Sequence, residues 1–163
     1  MLEIFRPNLL LNKYQELNLE EFAKKGYSTL LVDLDNTLVP YYEKTITEEV
    51  RMFFEKAKTL GIDVIIFSNN NINRVSGFVE GEDIKYYYRA LKPTKIGYKR
   101  IIDKYNLDKS KTICMGDQLL TDVLGANRMH MYSIYVKPII NKDSWTTKLN
   151  RAIEKLLFRW VVK

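Results

Sequence analysis

Short apolar runs alternate with longer mixed segments along this chain, and that alternation predicts a parallel α/β sheet. Thr29–Val32, Asp63–Phe67, Ile84–Tyr88, Thr112–Met115 and Tyr132–Val136 read as its five strands. Between the first two, apolar positions at Val50, Phe53, Phe54 and Ala57 mark a helix over Thr45–Leu60, with Gly61 as its stop. A short helix follows across Asn73–Val79. Thr94–Tyr105 is a further helix with Thr94 as N-cap, and Leu119–Met129 is another. Residues 146–160 predict a closing helix. No repeat or low-complexity linker interrupts the pattern.

The polar residues that break this pattern fall at the ends of the strands. Asp33 and Asp35 follow the first, Ser68-Asn69-Asn70 the second, and Lys92 comes just after the third. Gly116-Asp117 follows the fourth, with Asp122 one helical turn further on. Parallel strands joined by crossovers bring their C-terminal ends to one edge, which is where open α/β sheets build sites. Groups spread from residue 33 to residue 122 therefore become neighbours. A strand ending in an apolar core has no use for two carboxylates unless a cation or hydrogen bonds compensate them.

Composition narrows the reading. The chain has 163 residues, the size of one domain, and 46% are hydrophobic, enough for a core. One cysteine excludes an internal disulfide pair and suits a reducing compartment, so a cytoplasmic location is expected. His130 is the only histidine, which argues against a His-rich zinc site and against His-based phosphate chemistry. Glu3, Arg6 and Asn8 interrupt any secretory leader, and no apolar run approaches the roughly 20 residues of a spanning helix. The net charge is +6, concentrated in residues 89–111, with eight basic side chains against two acidic ones. Residues 142–163 carry six against two. Such a balance favours anionic partners: phosphates, nucleic acid or an acidic membrane surface.

Carboxylates and one lysine at a single edge predict phosphoryl transfer. Asp33 would be the nucleophile, giving an aspartyl-phosphate. Asp35 would be general acid and then base. Mg²⁺ asks for octahedral oxygen ligands and keeps several waters, and Asp33, Asp117 and the backbone carbonyl of Asp35 would supply the protein oxygens. Asp122 would hold a metal-bound water or the lysine. Lys92, Ser68 and the backbone N–H groups near Leu34 and Asn69 would neutralise the transferring oxygens.

Asp33-Leu34-Asp35-Asn36-Thr37-Leu38 resembles the first motif of the haloacid dehalogenase (HAD) superfamily of phosphatases. Ser68, Lys92 and Gly116-Asp117 through Asp122 look like its second, third and fourth motifs, in order. The flanking sequence 116–127, with Arg6-Pro7 and the Leu-rich 9–19, resembles the YqeG-type, subclass IIIA group, which is similar to phosphatidylglycerophosphate phosphatases. The resemblance covers nearly the whole chain, most weakly after residue 140. It implies a HAD-like three-layer fold in one domain, 1–163, with a five-stranded sheet in the order 5-4-1-2-3. It also implies phosphate binding by Thr37, Ser68, Asn69 and Lys92, and Mg²⁺ as cofactor. The implied reaction is hydrolysis of a phosphate monoester, phosphatidylglycerophosphate first. A soluble nucleotide or sugar phosphate is the alternative. So is a binding module that keeps the fold and acts through an RNA or a GTPase.

About 30 residues separate the first motif from Ser68, and one helix uses most of them, while the segment 70–91 has room for a short helix and a strand only. Neither has room for a large cap domain, so an open site is expected. An open site suits a large or surface-bound ester. In the tail, Leu149, Ala152, Ile153, Leu156, Leu157 and Trp160 share one helical side, while Lys148, Arg151, Lys155, Arg159 and Lys163 recur every three or four residues. That helix either docks on the core or lies on anionic lipid, which would place the protein peripherally at the inner face of a membrane. Cys114 reads as a small core residue, His130 as a surface or capping residue, and Tyr86-Tyr87-Tyr88 as a sheet edge. Nucleic acid is not expected as a partner, because stacking platforms need an arrangement this segment does not display. The oligomeric state is left open.

Overall fold

The computed structural model describes residues 2–140 and 157–158. Six parallel strands form one sheet: β1 (Leu9–Leu11), β2 (Thr29–Val32), β3 (Asp63–Phe67), β4 (Lys85–Tyr87), β5 (Thr112–Gly116) and β6 (Tyr132–Val136). Their order is β1-β6-β5-β2-β3-β4. The five strands expected from the sequence are all present, in the expected relative order. The correction is the sixth, β1, which pairs Leu9–Leu11 with Ile134–Val136 at the edge. Three consecutive leucines carry no alternation to read. Their register comes instead from a distant contact: Asn8 Oδ1 accepts from the Ser133 N–H at 2.8 Å and from the Ser133 hydroxyl at 3.0 Å.

The central strands are apolar throughout because helices cover both faces of the sheet. Every residue of β2 and β5 is buried. Alternate side chains feed two cores. Leu30, Val32, Ile66 and Met115 pack under α1 (Leu19–Lys24), α2 (Glu48–Thr59) and α3 (Ile72–Phe78). Leu31, Ile65, Phe67 and Cys114 pack under α4 (Lys95–Tyr105) and α5 (Leu124–Arg128). The result is a three-layer sandwich with no folded unit inserted between β2 and α2 or between β3 and β4 beyond α3.

Helix ends follow their caps. α2 begins at Glu48 rather than Thr45, because the Thr47 side chain accepts the Val50 N–H. Thr94 caps α4 as expected, accepting from the Gly97 N–H. The helix expected over Leu119–Met129 divides into a π-helical turn, Leu119–Val123, and then α5. The wide turn is set by Gln118, whose carbonyl accepts from both the Asp122 and Val123 N–H groups. Such turns recur at functional sites because they re-aim a side chain. Cys114 is buried, and His130 is exposed in a left-handed conformation (φ 58°) just past α5.

The closing helix expected over 146–160 lies outside the described residues except at Leu157 and Phe158. These two are helical and pack against Leu119, Val123 and Tyr135. The Phe158 and Tyr135 rings stand 5.2 Å apart. Among the described residues no helix is long and apolar enough to cross a membrane.

Candidate active site

The C-terminal edge of the sheet gathers the polar residues singled out above. Asp33 leaves β2 with its N–H donating to the Met115 carbonyl of β5 at 2.9 Å. The chain then doubles back: the Leu38 and Val39 N–H groups donate to the Leu34 carbonyl, and the Asn36 N–H donates to the Val39 carbonyl at 2.7 Å. Asn36 holds the left-handed conformation (φ 64°) this tight loop requires, which asparagine tolerates better than most residues. The loop brings Thr37 to β5, where its hydroxyl donates to Asp117 Oδ1 at 3.3 Å. The hydroxyl of Thr37, a residue expected at the phosphate, is engaged on Asp117, and both residues are fully buried.

Lys92 reaches in from the loop after β4. Its Nζ donates to Asp33 Oδ1 and to Asp122 Oδ1, each at 2.6 Å. All three side chains are buried. Asp122 therefore holds the lysine, the second of its two expected roles. Its other oxygen accepts from the Gln118 N–H at 3.1 Å and the Thr121 hydroxyl at 3.3 Å. Gly116 makes this approach possible, because a Cβ there would stand 2.2 Å from Asp122 Cγ.

The approach of Lys92 is built on Asn69. The Lys92 N–H donates to Asn69 Oδ1 at 2.8 Å, and Asn69 Nδ2 donates to the Lys92 carbonyl at 3.0 Å. The Asn69 side chain thus positions the lysine's backbone, and the phosphate contact expected at Asn69 is that of its backbone N–H. Leu91 pays for the bend with a left-handed conformation (φ 54°), worth about 1 kcal/mol or more for a bulky residue. Ser68 is buried and its Oγ accepts the Asn70 N–H at 3.1 Å, while the cap of α3 is Asn71. Among the described residues, the backbone N–H groups of Leu34 and Asn69 have no hydrogen-bond partner.

Asp35 turns away from this cluster. Its Oδ1 accepts from Arg74 Nε at 2.9 Å and Nη2 at 2.7 Å, and its Oδ2 accepts from Asn70 Nδ2 at 2.9 Å. Sequence reasoning missed both partners. The signal available was weak: an arginine on the first turn of a short helix after the second motif, with nothing to tie it to a carboxylate 39 positions earlier.

Burial drives the electrostatics. It pushes Asp33 up to about 7; contact with Lys92 opposes the shift, and Asp122 and Asp35 add to it. Burial pulls Lys92 down, but the two carboxylates at contact more than reverse this, leaving it above the ordinary lysine range. One ammonium between two carboxylates leaves this trio with a net negative charge out of water. The sign for stability follows. A carboxyl whose folded value is raised stabilises the protein below its ordinary value near 4, and that contribution is lost as pH rises through about 7. In EDTA, Asp33→Asn is therefore expected to raise the melting temperature relative to wild type. The gain should grow between pH 5 and 7.5. A gap between the two proteins that stays constant across that range would contradict the assignment.

The comparisons with known proteins agree with this geometry. A family model described as HAD-hydrolase-like matches residues 90–155. The chain is 35% identical over 153 residues to the "Probable phosphatase YqeG" of Bacillus subtilis (strain 168), covering 94% of this chain and 89% of that protein. It is 24% identical over 174 residues to "Phosphatidylglycerophosphate phosphatase 1, chloroplastic/mitochondrial" of Arabidopsis thaliana, and spans 48% of that longer relative. Among solved structures, an uncharacterized protein from Listeria monocytogenes serotype 4b shares the fold, with a TM-score of 0.54 and 20% identity, covering 81% of this chain and 99% of that one. With a HAD-like sheet, the motif residues gathered at its C-terminal edge and this relative of nearly equal length, the chain belongs to the YqeG-type phosphatases of the HAD superfamily.

Proposed function

We propose that this phosphatase is a Mg²⁺-dependent phosphomonoesterase that works through an aspartyl-phosphate on Asp33. The observation that carries the reading is the placement of Lys92 Nζ at 2.6 Å from both Asp33 and Asp122. A buried lysine so held keeps a fixed positive charge beside the attacking carboxylate, where charge on the transferring group must be neutralised. Asp33 attacks phosphorus and the ester P–O bond breaks. Asp35 gives its proton to the leaving alkoxide, then takes one from the water that cleaves the aspartyl-phosphate. Ser68, Lys92 and the unpartnered N–H groups of Leu34 and Asn69 receive the phosphate oxygens.

The residues present fit Mg²⁺. Asp33 and Asp117 leave adjacent strands β2 and β5, and Thr37 ties the loop of the first to the second. The Asp35 side chain is taken up by Arg74 and Asn70, so its backbone carbonyl is the donor assigned to the ion. Among the described residues no group of three or more His, Cys, Asp or Glu side chains could hold a metal ion, and an ion that keeps several waters does not need one. When bound, the ion supplies charge neutralisation at the transferring phosphoryl group. Turnover is expected to disappear in EDTA and return on adding Mg²⁺, with Ca²⁺ inhibiting through its looser coordination. Full activity in a metal-free preparation would refute the requirement.

The favoured substrate is phosphatidylglycerophosphate, supported by the likeness to the Arabidopsis relative and by the uncapped site. Phosphate release from that lipid in mixed micelles, against soluble nucleotide and sugar phosphates, tests the choice. A generic aryl phosphate separates catalysis of any kind from a binding module. Leu157 and Phe158 pack on Leu119, Val123 and Tyr135, which supports docking of that part of the tail on the core; the reading of a cytoplasmic protein held peripherally on anionic lipid then rests on the basic side chains alone, each contributing roughly 1 kcal/mol. Salt-sensitive sedimentation with anionic vesicles is expected, weakened by Arg151→Glu, Lys155→Glu and Arg159→Glu together. Protein remaining in the supernatant at low salt would refute this.

A further inference from the structure

The two carboxylates of the first motif belong to separate clusters. Asp33 is held by Lys92, whereas Asp35 is held by Arg74 and Asn70. This second cluster is itself braced. The Arg74 guanidinium lies over the Phe78 ring at 5.4 Å, and the Arg74 N–H donates to the Asn71 cap at 3.0 Å. The Asn70 N–H donates to Ser68, its Oδ1 accepts the Asn71 N–H at 2.8 Å, and its carbonyl accepts the Arg89 N–H at 2.9 Å. Both Arg74 bonds fall on one oxygen of Asp35, and the single bond from Asn70 falls on the other.

That asymmetry has a chemical meaning. Oδ1 is saturated by two charge-assisted bonds, which fix the rotamer. Oδ2 carries one bond from a neutral amide and keeps capacity for a proton. The pair is nearly buried, with side-chain exposures of 15% and 19%, so water competes little for the geometry.

We propose that Arg74, assisted by Asn70, is the positioning residue for Asp35, holding Oδ1 so that Oδ2 is the oxygen that exchanges a proton with the leaving group. The proposal rests on the reading of Asp35 as general acid. In the step concerned, the bond from Asp33 to phosphorus forms and the ester P–O bond breaks. The proton on Asp35 Oδ2 passes to the departing oxygen, leaving an alcohol and an Asp35 carboxylate that stays paired with Arg74. In the transfer to Asp33, a clamp of this kind matters only where the leaving group needs a proton. An aliphatic alkoxide needs one; a dinitrophenolate, an acyl carboxylate or a phosphate leaving from an anhydride does not. The clamp therefore assigns the substrate class as phosphate monoesters of aliphatic alcohols.

The test compares glycerol phosphate with dinitrophenyl phosphate. Arg74→Gln is expected to lower kcat/KM for glycerol phosphate, which reports the transfer to Asp33, by on the order of 100-fold, and to leave kcat/KM for dinitrophenyl phosphate within about threefold of wild type; hydrolysis of the aspartyl-phosphate, where Asp35 acts as base, is common to both substrates and lies outside this comparison. Arg74→Lys should recover part of the loss, and Asn70→Ala should show a smaller effect in the same direction. In an Asp35→Asn background, Arg74→Gln should add nothing for glycerol phosphate, because it acts through Asp35. Melting curves establish that each variant is folded, and Asn70→Ala carries the test if Arg74→Gln is not.

If Asp35→Asn shows the split in kcat/KM between substrates and the Arg74 and Asn70 variants lower kcat/KM for both equally, the clamp is refuted and the general acid stands. A further penalty in the double variant also refutes it. If Asp35→Asn itself shows no split, the general-acid reading fails, and the clamp fails with it.

Discussion

Asp33→Asn is expected to reduce turnover of every phosphate monoester by on the order of 10,000-fold or more while leaving the fold intact. The size follows from the role: without a nucleophilic carboxylate no aspartyl-phosphate forms, and the remaining groups can only bind the ester. The intact fold follows from the surroundings. Asparagine has nearly the volume of aspartate, and Lys92 keeps its contact with Asp122 at 2.6 Å. Removing one of two carboxylates from a buried trio brings that trio to neutrality. Beryllofluoride should attach at Asp33 in the wild type and not in the variant. The decisive measurement is phosphate release by a variant whose melting curve matches or exceeds wild type. Substantial turnover by such a protein would end the covalent mechanism.

The parts of this molecule legible in the sequence are those written in local patterns. β2, β3, β5 and β6 are apolar because they are covered on both faces, and that leaves continuous runs to read. Asp33, Lys92 and Asp122 were legible because each interrupts or follows such a run with a charge the core would not otherwise tolerate. β1 was not legible: three leucines carry no period, and the strand exists because Asn8 pairs with Ser133 across 125 positions. The fourth helix-like run was read as continuous because its apolar residues suit an α-helix, whereas Asp122 and Gln118 set a wider turn at its start.

Roles proved harder to read than membership of the site. Thr37 and Asn69 lie there, and the partners their side chains take, Asp117 and the Lys92 backbone, are not written in the motif. A motif gives the residue and its neighbourhood; which partner its hydroxyl or amide takes depends on atoms supplied by other strands. Arg74 is the reverse case. It carries no signal of its own, because an arginine on a short helix is ordinarily a solvated residue. Only the fold places it 2.7 Å from Asp35.

Lys92→Met is expected to be the most destabilising single substitution at the site, and to lower activity as well. Methionine preserves much of the length and apolar stem but removes the only cation in contact with Asp33 and Asp122 among the described residues. Breaking a buried pair by deleting one partner costs about 3–5 kcal/mol, because the charge left behind stays out of water. Here two carboxylates are left behind. The lysine's raised value means that its contribution is fully present at and below the ordinary lysine range and is lost only at higher pH, so the loss is felt in full at neutral pH. Asp33 supplies the pH signature. Protonating it removes one of the two stranded charges, so the variant should be less destabilised at pH 5 than at pH 8. Asp122→Asn, which leaves Lys92 paired with Asp33, should cost less than Lys92→Met at both. Turnover should fall by roughly 100-fold to 1,000-fold even where the variant is folded, since the positive charge beside the transferring phosphoryl group is gone. Urea titrations at the two pH values and assays at the lower one separate the effects. Equal destabilisation at pH 5 and pH 8 would show that Lys92 acts by packing rather than by charge, and near-normal turnover would remove it from the catalytic apparatus.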